Sequence, residues 1–115
     1  MEAEDMLVKL RVLISKLDAI LLYLLGLRKS QGILDKVEKQ ILETRTKAAL
    51  SVEELKRELD LPIHCPEREA QELADMKQIA ASQDMQLTET EIEEYFTRIF
   101  AASGQAQEKQ RRAAT

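Results

Sequence analysis

Leu7, Leu10, Ile14, Leu17, Leu21 and Leu24 recur in alternating steps of three and four. That spacing lines them along one face of an α-helix as an a/d seam. A seam of this length has to be covered by another helix, so it limits the chain to folds built from packed helices. It predicts a helix over residues 5 to 29. The chain's 115 residues contain only three Gly and two Pro, too few for the many turns of an all-β sandwich. A length of this order makes one domain.

Residues 33 to 59 are predicted to be helical again, with Leu34, Val37, Ile41 and Leu42 on one side. Gly32, between the two stretches, marks either a break or a weak point in one long helix. Leu61-Pro62-Ile63-His64-Cys65 interrupts the pattern, because the Pro62 ring fits poorly inside a helix. Pro66 suits the first position of the next helix, expected to run to about Ser82, with Cys65 as its N-cap. Thr88 and Glu91 have the spacing of a capping box for a last helix, from Glu89 to about Arg112. Residues 113–115 are expected to fray. One echo is visible: Leu10-Arg11, Leu17-Asp18 and Arg28 recur seventeen residues later as Leu27-Arg28, Leu34-Asp35 and Arg45. It is either a duplicated helical segment or chance in a Leu-rich helix.

Several function classes are disfavoured. Acidic and basic residues are interspersed with a net charge of −4, and no basic block or aromatic platform suggests nucleic acid. The longest apolar run, Ala19 to Leu27, covers nine residues, far short of a bilayer span. The N-terminal residues lack the pattern of a signal peptide, so a cytoplasmic location is expected. One cysteine, Cys65, rules out a disulfide framework within the chain. No metal-ligand spacing and no phosphate-binding glycine loop occurs, so neither metal nor cofactor is expected. His64, the single histidine, falls in a connection with no nucleophile near it in sequence and reads as structural or exposed.

The polar residues of interest lie on predicted helices. Arg45 and Lys56 are eleven residues apart, which on one helix is about 20° around the axis and roughly 16 Å along it. Ala48, Ala49 and Val52 between them form a shallow floor that suits a compact anion, although two unrelated cations on a solvated face have the same spacing. Arg28, seventeen residues before Arg45, would be about 100° and roughly 25 Å away on a straight helix. It would reach that site only from a partner chain packed antiparallel. Ser103 and Gln107 are one turn apart and share a face, with Gly104 keeping the helix slim between them.

Together these segments resemble the all-helical chorismate mutases. The resemblance is carried by Leu27-Arg28, Leu34-Asp35, Ile41-Leu42, Arg45, Lys56, Leu61-Pro62-Ile63-His64 and Pro66-Glu67-Arg68-Glu69. Phe96, Ile99, Ser103 and Gln107 extend it into the last helix. It implies an all-α chain of three helices, the first one long and intertwined with that of a second copy in a homodimer. The domain would occupy residues 27–112, with 1–26 as a helical extension. It further implies a substrate, chorismate, rearranged to prephenate without a cofactor. Arg45, and Arg28 of the partner chain, would bind the two carboxylates, with Ser103 adding a contact. Lys56 and Gln107 would hydrogen-bond the ether oxygen. Glu69 and the backbone near Cys65 would hold the ring hydroxyl. Cys65 stands where the family pattern usually has Asp. An isochorismate-pyruvate lyase shares the scaffold and similar cations. A non-catalytic helical interaction protein would instead use the Leu7–Leu24 seam as its working surface.

Overall fold

The computed structural model describes residues 2–31 and 35–114, the side chains of 28–31 excepted. The described residues form four α-helices and their connections 59–65 and 83–88: α1 (Glu2–Gln31), α2 (Asp35–Glu58), α3 (Pro66–Ser82) and α4 (Glu89–Ala114). The count differs from the expected three because the long first helix is replaced by two, α1 and α2. The expectation for Gly32 lies outside the described residues.

The pairing of α1 with α2 is antiparallel. Leu7 clusters with Val52 and Leu55, Asp18 meets Arg45, and Leu25 packs with Ile41 and Leu42 around the main core. At about 1.5 Å per residue, an unbroken helix from Glu2 to Glu58 would exceed 80 Å, whereas the longest dimension of the molecule is 45 Å. The seam accordingly finds its cover inside the chain: Leu7, Leu17, Leu21 and Leu24 are buried. Leu10 and Ile14 of the seam are half-buried. The boundary expected between residues 26 and 27 falls within α1, and α4 continues past Arg112 to Ala114.

The main core gathers Leu21 and Leu22 of α1, Met76 and Ala80 of α3, and Ile92, Tyr95, Phe96 and Ile99 of α4. The α4 N-terminus carries the anticipated capping box. The Glu91 N–H donates to Thr88 Oγ1 at 3.1 Å, and the Thr88 N–H donates to Glu91 Oε1 at 2.9 Å. Glu53, fully buried on α2, accepts from Arg111 of α4 at 2.6 Å and ties those helices together. A Cβ at Gly104 would sit 3.1 Å from His64 Cε1, so the exposed imidazole would have to shift by a few tenths of an ångström.

α3 begins at Pro66 with Cys65 as its N-cap, and the thiol makes no capping hydrogen bond. Pro66 has no N–H, and those of Arg68 and Glu69 already donate to the Cys65 carbonyl at 3.1 Å; an Asp side chain here can accept from Glu67 or share the Arg68 N–H, and it complements the helix dipole. Cys65→Asp is therefore expected to raise the urea midpoint by an amount equivalent to about 0.5–2 kcal/mol. An unchanged midpoint would mean that the first turn is already satisfied.

Candidate active site

α2 supplies the floor and two of the cations. Arg45 and Lys56 are both buried on it, and Ala49 and Val52 line the cleft between them. Of the three residues expected to form the floor, Ala48 is buried but is not part of this lining. The cleft is closed by α1, the 59–65 connection, the start of α3 and the middle of α4. Its volume of about 120 Å³ is below the range of about 300–1,000 Å³ typical for drug-sized ligands. It therefore suits a small, compact molecule.

The Arg45 guanidinium is held on three sides. Its Nε and Nη2 donate to the Asp18 carboxylate of α1 at 2.5 and 3.2 Å, and its Nη1 donates to Ser103 Oγ of α4 at 2.6 Å. The cation also lies 5.7 Å from the centroid of Phe100, within cation–π range. A guanidinium has five N–H donors, so two remain for a ligand after these three bonds. Lys56 donates from Nζ to the Ile63 carbonyl at 2.8 Å, which fixes the ammonium at the cleft with two N–H groups to spare. Burial, followed by repulsion from Arg11, lowers its pKa from 10.5.

Gln107 is buried on α4 and donates to the Ala49 carbonyl at 2.8 Å. Its amide has a second N–H donor. Glu69, Cys65 and Ser103 also line the cleft. The structure thus brings together Arg45, Lys56, Cys65, Glu69, Ser103 and Gln107. The side chain of Arg28 lies outside the described residues. His64 lines the cleft but is exposed, and its Nε2 pairs with Glu108 at 2.6 Å.

Four residues of the site were given no role there from the sequence. Arg11 and Arg68 add two more cations to the lining. Asp18 orients Arg45. Glu72 of α3 accepts a hydrogen bond from Ser15 at 3.0 Å. Its carboxyl is pushed up from 4.5 to about 8, by burial first and then by the hydrogen bond and charge of Asp18. Protonated, it donates to Asp18 and adds no charge to the cleft. The lining therefore has four cations, Arg11, Arg45, Lys56 and Arg68, against Glu69 as the charged carboxylate. A concave site with an excess of one sign focuses its field on an oppositely charged ligand, here an anion.

The raised pKa of Glu72 gives stability a definite pH dependence. Above about pH 4.5 the unfolded chain releases this proton, while the folded chain keeps it until about pH 8. The unfolded state then binds fewer protons, so stability falls as pH rises through that window and levels off above it. Glu72→Gln keeps the neutral shape and removes this slope. Urea midpoints at about pH 5.5 and about pH 8.5 are expected to drop more for wild type than for Glu72→Gln. Equal drops would show that Glu72 is ionised across the range.

Cations held by protein partners and the Gln107 amide thus line one cleft among the helices, an arrangement whose charge suits a small anion. A family profile described as chorismate mutase type II matches residues 27–108, and the chain belongs to that family. Comparison with curated proteins and with solved structures gives no match. Among the described residues, no helix is long and apolar enough to cross a membrane.

Proposed function

We propose that this chain is a chorismate mutase, converting chorismate to prephenate by an intramolecular pericyclic rearrangement. The reading rests on one observation above the others. Arg45, Lys56 and Gln107 converge on a small cleft, each already fixed by a protein partner before any substrate arrives.

In this reaction the ether carbon–oxygen bond breaks ahead of carbon–carbon bond formation, and negative charge builds on the ether oxygen. Lys56 and the second N–H of Gln107 donate to that oxygen. Donors fixed where charge develops lower the barrier without reorganising during the step. Arg45, held on edge by Asp18, binds one carboxylate with its remaining N–H groups, and Ser103 adds a contact. An arginine fork matches a carboxylate in two places, so the flexible enolpyruvyl arm is held near its reactive shape. Glu69 and the backbone at Cys65 take the ring hydroxyl.

The test is to supply chorismate and isochorismate separately to the purified chain and identify the products. Prephenate from chorismate is the expected result. Salicylate and pyruvate from isochorismate, with chorismate untouched, would move the assignment to the lyase. Turnover of neither would overturn an enzymatic reading.

A further inference from the structure

We infer that the chain completes its own site, with Arg11 of α1 serving in cis as the second carboxylate-binding cation, a role that the family resemblance implied for Arg28 of a partner chain. The inference rests on the chorismate reading for the ligand, but its geometry stands without it.

The seventeen-residue echo supplies two candidates. Arg11 stands to Arg28 in the first copy as Arg28 stands to Arg45 in the second. On one long straight helix, either would reach the Arg45–Lys56 site only from another molecule. The antiparallel α1–α2 pair changes that. Asp18 lies level with Arg45, and Leu7 lies level with Val52 and Leu55. Arg11 is seven residues before Asp18, about 10 Å along α1 and about 20° away around it. It therefore stands on the face that meets α2, alongside the floor between Arg45 and Lys56, and it lines the cleft. Arg28 is ten residues beyond Asp18 in the other direction, about 15 Å along α1 and away from Lys56.

The electrostatics agree with that placement. Burial, followed by repulsion from Arg68, disfavours the charge on Arg11. Arg11 in turn disfavours the charge on Lys56. Clustered, partly dehydrated cations repel one another until an anion enters between them, so the arrangement suits a ligand with two negative groups. α1 is also fastened at this level by Asp18 to α2 and by Ser15 to α3. The segment outside the family match, residues 1–26, thus provides one wall and one cation of the site.

Two measurements test this. The first uses turnover of chorismate. Arg11→Ala and Arg45→Ala are each expected to lose on the order of a hundredfold or more in kcat/KM, as for truncating one member of a buried charge pair. The Arg11→Ala loss should appear mainly in KM, and Arg28→Ala should lose far less. Specific activity should not depend on enzyme concentration. A re-equilibrated mixture of Arg11→Ala and Arg45→Ala should be no more active than its components, because no chain in it holds both arginines. Recovery in the mixture would show that α1 is exchanged between chains, and a larger loss for Arg28→Ala than for Arg11→Ala would return the role to Arg28. Either result overturns the inference.

The second measurement needs no substrate. Lys56 is faced by Arg11 of α1, Cys65 of the connection, Glu53 of α2 and Arg111 of α4. Its ammonium, followed by NMR, is expected to titrate higher in Arg11→Ala and Arg11→Gln than in wild type and to be unmoved in Arg28→Ala. The two Arg11 variants guard against one failing to fold. An unmoved Lys56 in both would overturn the placement of Arg11 whatever the chain catalyses. Absent turnover with a shifted Lys56 would instead fault the chorismate reading and leave the intrachain site standing.

Discussion

Lys56→Ala is expected to lower kcat for chorismate by about 10²–10³-fold, the usual loss of about 2.7–4 kcal/mol when one fixed donor to a developing oxyanion is removed. The ammonium is buried and already oriented by the Ile63 carbonyl, so its effect on the ether oxygen is little screened by water. Removing it relieves the repulsion among the cleft cations and takes away a buried charge, so the fold should survive. The urea midpoint of the variant checks that. The same argument fixes the alkaline limb of the wild-type pH profile. The charged form is the active one, and burial and Arg11 lower the pKa from 10.5. Activity should therefore begin to fall below the ordinary lysine range as pH rises. A folded Lys56→Ala with near-wild-type kcat would sink the mutase assignment.

That Lys56 and Arg45 share one face with small residues between was legible from helical periodicity, whereas a role for them came only with the family resemblance. The starts of α3 and α4 were legible for a similar reason. Pro66 and the Thr88–Glu91 pair act through their immediate neighbours, and the bonds between Thr88 and Glu91 form as the spacing implies. Family membership was legible too, and the matched region spans the residues that carried the resemblance.

The reversal between α1 and α2 was not legible. An a/d seam says which face of a helix must be covered, but not which helix covers it. α2 of the same chain and the equivalent helix of a second chain offer the same leucines. With that choice open, the position of Arg11 was open as well. The only hint was an echo of a few residues in a Leu-rich stretch. Asp18, Glu53 and Glu72 were missed for a different reason. An acidic residue on a charged helix reads as solvated, and each of these becomes buried only where another helix crosses its face. Burial of that kind is decided by tertiary packing, which propensity and periodicity do not report.

The largest loss of stability is expected at Asp18. Its carboxylate is fully buried and receives two N–H groups of the buried Arg45. Removing one partner of such a pair leaves the other charged and dehydrated, which costs about 3–5 kcal/mol. Domains of this size have a net stability of about 5–15 kcal/mol, so Asp18→Ala should bring the chain close to unfolding. Asp18→Asn keeps the shape and an acceptor and should fall between the two. The same residue positions the guanidinium for the substrate, so Asp18→Asn should also raise KM more than it lowers kcat. A double variant, Asp18→Leu with Arg45→Met, separates the two roles. Apolar replacement of a whole buried ion pair is often neutral or stabilising, so the double variant should recover most of the lost urea midpoint. It should remain inactive, because the carboxylate-binding fork is gone. If Asp18→Ala unfolds at the wild-type midpoint, Arg45 is not held as described. If the double variant turns over chorismate, Arg45 does not bind the substrate.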